Sequence, residues 1–218
     1  MNKKQHIVVT YGPTSQEKAL FLDILGRDAS LIFLSEITPA QREQALDGAT
    51  VLLSWNFPQE ISPQAYPRLQ HVRLIQLVTA GADHMPLVDL PSHIRCASNA
   101  GAYAIPMAEH VLAMTLALTK RLFVEQQKLR RGEFDDHTLN RSLRGMTAGI
   151  IGFGGAGQAT ARLMQAFGMR IYALNQSGTS NEPTDFIGTL RDLEYVLRVS
   201  DVVVITVPLI RATKGLIG

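Results

Sequence analysis

The sequence contains a single cysteine, Cys96, among its 218 residues. One thiol excludes an intramolecular disulfide and a metal cluster built from several thiolates, so we expect no metal site of that kind. A chain without disulfides suits a reducing compartment, and we therefore expect a cytoplasmic protein. Cys96 ends a short apolar segment, which favours a small core side chain over a nucleophile.

Long hydrophobic runs are also missing. No segment approaches the ~20 apolar residues that span a bilayer. The basic start, Met1 to Gln5, is followed only by the strand-length run Ile7 to Val9, which is too short for the core of a signal peptide. The net charge is +2 and basic residues are interspersed with acidic ones. We therefore expect neither a membrane nor a nucleic acid as a partner.

The first hundred residues alternate strand-like and helix-like segments. Thr14 to Glu17 has the spacing of a capping box, Thr38-Pro39 is typical of a helix start, and Ser62-Pro63 opens a further short helix. The expected strands are His6 to Thr10, Leu31 to Leu34, Val51 to Ser54, Leu74 to Val78 and Ile94 to Cys96. This alternation favours a parallel sheet covered on both faces, and hence a complete small α/β domain.

The second half begins with an apolar-periodic segment from Pro106 to about Arg131, which predicts one long helix ending before Gly132. We place the domain boundary ahead of it, near Ala102. The remaining expectations are a surface loop over 135–144, strands at Thr147 to Ile151 and Ile171 to Leu174, an exposed connection over 175–183, a helix capped by Thr189 that runs to Val199, and a strand at Val202 to Ile205. The continuous apolar run of the last strand indicates burial on both faces.

A glycine-rich turn follows the strand that ends at Ile151. Gly152 permits a tight turn from strand to helix, Gly154 lets a pyrophosphate approach the backbone, and Gly157 allows the helix to pack closely on the strand. The free amides of the helix N-terminus attract phosphate without a basic side chain. Because a strand precedes the turn and a helix and a second strand follow it, the sequence predicts dinucleotide binding.

Four separated motifs together resemble the NAD(P)-dependent D-isomer-specific 2-hydroxyacid dehydrogenases. They are Leu74 to His84, the pair Ser98 to Gly101 with Ile105 to His110, Gly145 to Gly157, and Val207 to Leu209 with Thr213 to Ile217. The resemblance implies a flavodoxin-like substrate domain over 1–102 and an incomplete Rossmann-type NAD(P)-binding domain over 103–218. Further strands of the second sheet would come after Gly218, which would leave Val202 to Ile205 as an exposed edge.

The same resemblance implies hydride transfer between NAD(P)H and a small 2-keto or 2-hydroxy acid similar to glyoxylate or hydroxypyruvate. The amides of Ala80, Gly81 and Ala82 would receive the substrate carboxylate. The residues expected at the cofactor are Gly152, Gly154, Gly155, Ala156, Gly157, Asn175, Gln176, Ser177, Val207 and Pro208. The family also implies a homodimer for the full-length protein.

No residue of this chain is given a catalytic role. The family's catalytic arginine, histidine and acid lie after the segment that resembles Val207 to Leu209, and this chain ends before them. His84 and His110 do not occupy the family's catalytic position. The alternatives are therefore a non-catalytic nucleotide-binding module or an inactive fragment of such an enzyme. Another Rossmann enzyme, such as a methyltransferase, would leave the motifs at Thr79 to Asp83 and Pro208 unexplained.

The preference between NAD and NADP stays open. Where members of this fold that prefer NAD carry an acid at the end of the second strand, this chain has Asn175, followed by Gln176 and Ser177. Asparagine does not repel a 2'-phosphate, but no arginine follows at once to bind one. The alternative interpretation is that Asn175 only caps a turn.

Overall fold

The parallel sheet expected in the first hundred residues is present. The structure is a computed structural model that describes residues 5–217. Its first five strands are β1 (Gln5–Val9), β2 (Ala29–Phe33), β3 (Val51–Ser54), β4 (Leu74–Leu77) and β5 (Arg95–Ala97). They lie in the order β2-β1-β3-β4-β5, and every neighbouring pair is parallel. This is the flavodoxin-like strand order, so the class predicted for the first domain is confirmed.

Local sequence signals set where the helices of this unit begin. The helices are α1 (Ser15–Leu25), α2 (Pro39–Gly48) and α3 (Phe57–Glu60), with 3-10 segments at Leu34–Glu36 and Pro63–His71. Thr14 accepts a hydrogen bond from the amide of Glu17 at 3.2 Å, and the Glu17 carboxylate accepts one from the amide of Thr14 at 2.7 Å. Thr38 caps α2 in the same way. The capping signals were therefore correctly interpreted.

The chain divides into two compact units between Ala100 and Gly101. The second unit contains a parallel sheet of β6 (Thr147–Ile151), β7 (Arg170–Leu174), β8 (Phe186–Gly188) and β9 (Val202–Ile205), in the order β8-β7-β6-β9. Counted from β6, this is the 3-2-1-4 part of the Rossmann order, as predicted. Its helices are α4 (Ala104–Thr119), α5 (Leu122–Arg130), α6 (Gly155–Ala166) and α7 (Leu193–Val199), and a 3-10 turn at Leu190–Asp192 precedes α7.

The prediction of one long helix from Pro106 to Arg131 is wrong, because α4 ends at Thr119 and α5 begins at Leu122. Arg121 lies between them in the left-handed region, with φ of 53°. The loop that follows α5 stabilises this break. The amide of Arg141 donates to the Thr119 carbonyl at 3.1 Å, and the Lys120 ammonium donates to the Arg141 carbonyl at 2.6 Å. Apolar periodicity continues across the break and so could not indicate it.

The second sheet departs from expectation in two strands. The three-residue strand β8 was not predicted, since it is too short to show a periodic pattern and forms by pairing with β7. The prediction that Val202 to Ile205 is buried on both faces is also wrong. Val204 is buried, but Val203 is 41% and Ile205 is 52% exposed. Within residues 5–217, β9 pairs only with β6 and forms an edge of the sheet, as strand counting predicted.

No helix among the described residues has both the length and the apolarity needed to cross a membrane.

Candidate functional site

The turn between β6 and α6 has a geometry that only glycine fits at its first position. Gly152 has φ of 103°, a left-handed value that side chains disfavour. A Cβ atom here would lie 2.7 Å from the carbonyl carbon of Thr206 and 2.8 Å from the amide nitrogen of Val207. The turn and the chain after β9 are therefore in direct backbone contact.

Gly157 brings the first turn of α6 against the same loop. A Cβ atom on Gly157 would lie 2.2 Å from the Gly152 carbonyl oxygen and 3.2 Å from Cγ2 of Ile150. Such a distance requires the backbone to move, so a side chain is excluded by close packing of helix on strand. This is the role expected for the third glycine of the turn.

Gly154 differs, because a Cβ atom on it would meet nothing within 4 Å. It is the N-cap residue of α6, and no side chain caps the helix there. Gly155, Ala156 and Gly157 begin this 12-residue helix, so their amides have no partner within it. The arrangement has the free N–H groups and the partial positive charge that bind a phosphate group.

The segment after β9 is held beside the glycine turn. The Thr206 hydroxyl donates to the Gly152 carbonyl at 2.6 Å, and the Thr206 amide donates to the Ile151 carbonyl at 2.8 Å. Val207 packs on the core that contains Ile151, whereas Pro208 is exposed and its carbonyl accepts a hydrogen bond from the Thr213 hydroxyl. The sequence indicated Val207 and Pro208 but missed Thr206, since its contact is 54 residues away along the chain.

Asn175 follows β7 and organises the loop after it. Its Oδ1 accepts from the amide of Gly178 at 2.7 Å, and its Nδ2 donates to the Thr179 carbonyl at 2.8 Å. The Ser177 hydroxyl also contacts Asn175 Oδ1 at 3.3 Å, and Gln176 and Ser177 are both exposed. Asn175 therefore caps this turn, and both ends of its amide make hydrogen bonds within the loop.

Ala80, Gly81 and Ala82 lie in an exposed loop that begins three residues beyond the end of β4. The Thr79 hydroxyl donates to the Gly81 carbonyl at 3.1 Å, and the Asn99 amide donates to the Thr79 carbonyl at 2.9 Å. Within the described part of the chain, the amides of Ala80, Gly81 and Ala82 donate no hydrogen bond. Unused backbone donors in an exposed loop are suited to a carboxylate.

Three other residues were considered as candidates for a catalytic or metal-binding role. Cys96 is half-buried, and burial raises the pKa of its thiol, so it is not an activated nucleophile. His84 and His110 are both exposed. Across residues 5–217, no cluster of three or more histidine, cysteine or carboxylate side chains could hold a metal ion.

Sequence reasoning missed Glu60, whose carboxylate joins the ends of β1 and β3. It accepts hydrogen bonds from the hydroxyls of Thr10 and Ser54, at 2.5 Å and 2.6 Å. The backbone amides of Trp55 and Asn56 also donate to it, Asn56 at 2.5 Å. Since Thr10 lies 50 residues from Glu60, no local pattern could have indicated this contact.

Comparison with known proteins agrees with this geometry. Residues 112–218 match the sequence model described as D-isomer specific 2-hydroxyacid dehydrogenase, NAD binding domain. The chain is 28% identical over 187 residues to a glyoxylate reductase from Pyrococcus furiosus, a match that covers 82% of this chain and 54% of the relative. It is 27% identical over 221 residues to a glycerate dehydrogenase from Methylorubrum extorquens, covering 93% of this chain and 67% of the relative.

The fold is shared with a solved structure, a D-isomer specific 2-hydroxyacid dehydrogenase family protein from Aeromonas salmonicida. That likeness has a TM-score of 0.81 at 20% identity and covers 97% of this chain and 66% of the other. The chain thus spans between about half and two thirds of the length of these relatives. The expected cofactor class, a nicotinamide dinucleotide, is confirmed by the family match. The glycine turn, the strand order and the sequence matches agree, and residues 112–218 belong to the NAD-binding domain of the D-isomer-specific 2-hydroxyacid dehydrogenase family.

Proposed function

We propose that the protein transfers a hydride between NAD(P)H and a small 2-keto or 2-hydroxy acid of the glyoxylate or hydroxypyruvate type. The observation that carries this proposal is the turn of Gly152, Gly154 and Gly157. Gly152 and Gly157 have no room for a side chain, whereas the space beside Gly154 is open, so that a phosphate group can reach the free amides of α6. The bound cofactor would supply the hydride chemistry through its nicotinamide. Two of the relatives are named glyoxylate reductase and glycerate dehydrogenase, which supports this substrate class.

In this proposal the second unit holds the cofactor. The amides of Gly155 and Ala156 would bind the pyrophosphate, and the absence of a side chain at Gly154 leaves room for it. Gln176 and Ser177, exposed on the loop that Asn175 organises, would face the adenosine ribose. Val207 and Pro208 would line the nicotinamide side of the turn, where Thr206 fixes the backbone.

The first unit holds the acid. The amides of Ala80, Gly81 and Ala82 would donate to the substrate carboxylate, since they have no acceptor among the described residues. Backbone donors fixed by a folded loop orient a carboxylate without the entropy cost of ordering a long basic side chain. We accordingly assign residues 1–102 to substrate binding and residues 103–218 to cofactor binding.

We further propose that both dinucleotides are accepted. No carboxylate side chain stands at the end of β7 to repel a 2'-phosphate, because Asn175 occupies that position. Neither Gln176 nor Ser177 offers a positive charge that would select for the phosphate. NADH and NADPH should therefore bind with similar affinity.

A cytoplasmic homodimer is the proposed form of the protein. Helices α4 and α5 expose large apolar side chains, a composition that suits a contact with a second copy. These are Met114, Leu118, Leu122 and Phe123, which are 53%, 71%, 53% and 65% exposed. The single half-buried cysteine is compatible with a reducing compartment.

The test combines direct binding with turnover. Purified chain should bind NADH and NADPH, and a form of the protein that includes the family's catalytic arginine and histidine should lower the absorbance of the reduced nicotinamide when glyoxylate, hydroxypyruvate or pyruvate is added. Binding without sustained turnover would identify a nucleotide-binding module instead, since positioned acid–base catalysis alone contributes about 10² to 10⁴ in rate. Tighter binding of S-adenosylmethionine than of either dinucleotide would contradict the proposal.

A further inference from the structure

Two aromatic side chains lie together where β1 and β3 end. The ring centroids of Tyr11 and Trp55 are 6.1 Å apart, and the ring planes are inclined by 57°. Trp55 is 49% exposed. Both residues line an open cavity of about 410 Å³, together with Gly12, Asn56 and Glu60. An exposed tryptophan beside a cavity offers a flat apolar face to a small molecule.

The place of this pair in the sheet makes it a candidate ligand site. In the order β2-β1-β3-β4-β5, the chain leaves β1 toward β2 on one side and later returns to β3 on the other. Such a reversal opens a crevice beyond the carboxyl ends of the two strands, and open α/β sheets bind their ligands there. Tyr11 and Trp55 follow the ends of those two strands.

Glu60 keeps this crevice in one conformation. Its carboxylate accepts from Thr10, which precedes Tyr11, and from the amides of Trp55 and Asn56. The chain after β1 and the chain after β3 are therefore held by the same carboxylate. A carboxylate with this many donors organises the backbone around it, so the aromatic faces are held in place before any ligand arrives.

The crevice continues toward the loop proposed to bind the carboxylate. Ser54 is the register partner of Leu77, and the amide of Val78 donates to the Ser54 carbonyl at 2.9 Å. Trp55 and Val78 thus leave adjacent strands side by side, about 4.8 Å apart as neighbouring strands are. Ala80 follows two residues later. An acid held at that loop would direct the rest of its carbon chain across the end of β3.

We propose that Tyr11 and Trp55 are specificity-determining residues that receive a flat, uncharged group carried on the carbon chain of the acid. The inference rests on the proposed function and extends its substrate class to 2-keto and 2-hydroxy acids with an aromatic side chain. The carboxylates of Glu17 and Glu60 also line the cavity, so a second carboxylate or a phosphate on the substrate is disfavoured there.

Calorimetric titration with D-lactate and D-3-phenyllactate tests the proposal, because the two acids differ by one phenyl ring. Both are titrated into the chain saturated with NADH, with which a hydroxy acid cannot react. D-3-phenyllactate should bind at least about tenfold more tightly than D-lactate, as stacking and burial of one ring imply. Trp55 is the only tryptophan of the chain, so its emission should change with D-3-phenyllactate and report where the ring binds.

Three variants distinguish binding of the ring at Trp55 from a general effect of exposed aromatic side chains. Trp55→Ala should remove most of the tenfold preference for D-3-phenyllactate over D-lactate, since the exposed face of Trp55 would no longer be available to the phenyl ring. Phe134→Ala, which removes an aromatic ring that is 81% exposed, should change neither affinity. Trp55→Phe should retain part of the preference.

Equal affinity for the two acids, or unchanged Trp55 emission at saturating D-3-phenyllactate, would overturn the inference and leave the proposed function standing. Failure of the chain to bind NADH or either acid would instead overturn the proposed function, and this inference with it.

Discussion

A Cβ atom on Gly157 would lie 2.2 Å from the carbonyl oxygen of Gly152. The two outer glycines of the turn are therefore coupled through packing, independently of any ligand. Gly157→Ala should lower the free energy of unfolding of the second unit by about 1–3 kcal/mol, the usual cost of overpacking. Urea unfolding followed by circular dichroism measures this change, and an unchanged midpoint would contradict the packing argument.

Gly154→Ala is the matched comparison, because the added methyl group meets nothing within 4 Å and Gly154 has an ordinary negative φ of −88°. We expect the urea midpoint to stay close to that of the original chain. Affinity for NADH should fall by about tenfold or more, since the new methyl group occupies the approach of the pyrophosphate. A lower urea midpoint with unchanged NADH affinity would show that Gly154 is needed for packing of the turn and not for cofactor binding.

Asn175→Asp should shift cofactor preference toward NADH. The new carboxylate would repel a 2'-phosphate, and it would lose the hydrogen bond that Asn175 donates to the Thr179 carbonyl at 2.8 Å. We expect NADPH affinity to fall at least about tenfold relative to NADH affinity, as measured by calorimetry with each cofactor. Asn181→Asp adds the same charge farther along the chain and serves as the control. An equal loss for both cofactors would indicate damage to the loop rather than charge selection.

Arg121→Gly should stabilise the second unit. Arg121 has φ of 53°, which costs a non-glycine residue on the order of 1 kcal/mol. Among the residues that the structure describes, its one ion pair is a weak one, with Glu125 at 3.7 Å, so little is lost with the side chain. Thermal unfolding should show a higher midpoint for Arg121→Gly than for Arg121→Ala, which removes the same ion pair but keeps the strained conformation. The reverse order would show that Arg121 is not strained in solution.

Ile205→Lys should reduce self-association of the chain. In the described residues β9 has a strand partner on one side only, and Val203 and Ile205 are exposed along it. An apolar strand edge pairs readily with another copy, and a lysine on it blocks that pairing. Light scattering over a concentration series measures the effect, with Leu139→Lys, at an exposed loop position, as the control. A monodisperse original chain would contradict the edge hypothesis.

Features that depend on short sequence segments were predicted well. The capping boxes at Thr14 and Thr38 need only four residues each, and the glycine turn needs six between two apolar strands. The parallel sheets followed from the alternation of strands and helices, because parallel strands require a crossover between them, whereas the strand orders are those that the family resemblance implied. Position and type were accordingly correct for most elements.

Features that depend on distant contacts were missed. The break at Arg121 is stabilised by Arg141, β8 exists through its pairing with β7, and Glu60 reaches Thr10 across 50 residues. The apolar run of β9 is compatible with burial on two faces, but burial is decided by which neighbours are present. Such contacts leave no periodic signal in the sequence.

The central position of β6 also has a consequence for how the second unit forms. All five of its residues are buried, and Ala148 pairs with Ile171 on one side and with Val202 on the other. Each pairing closes a loop that contains at least one helix, and the entropy cost of closure precedes the gain from contact. We therefore expect β6 to pair first with β7, which is near in sequence, and only later with β9, whose pairing closes a longer loop.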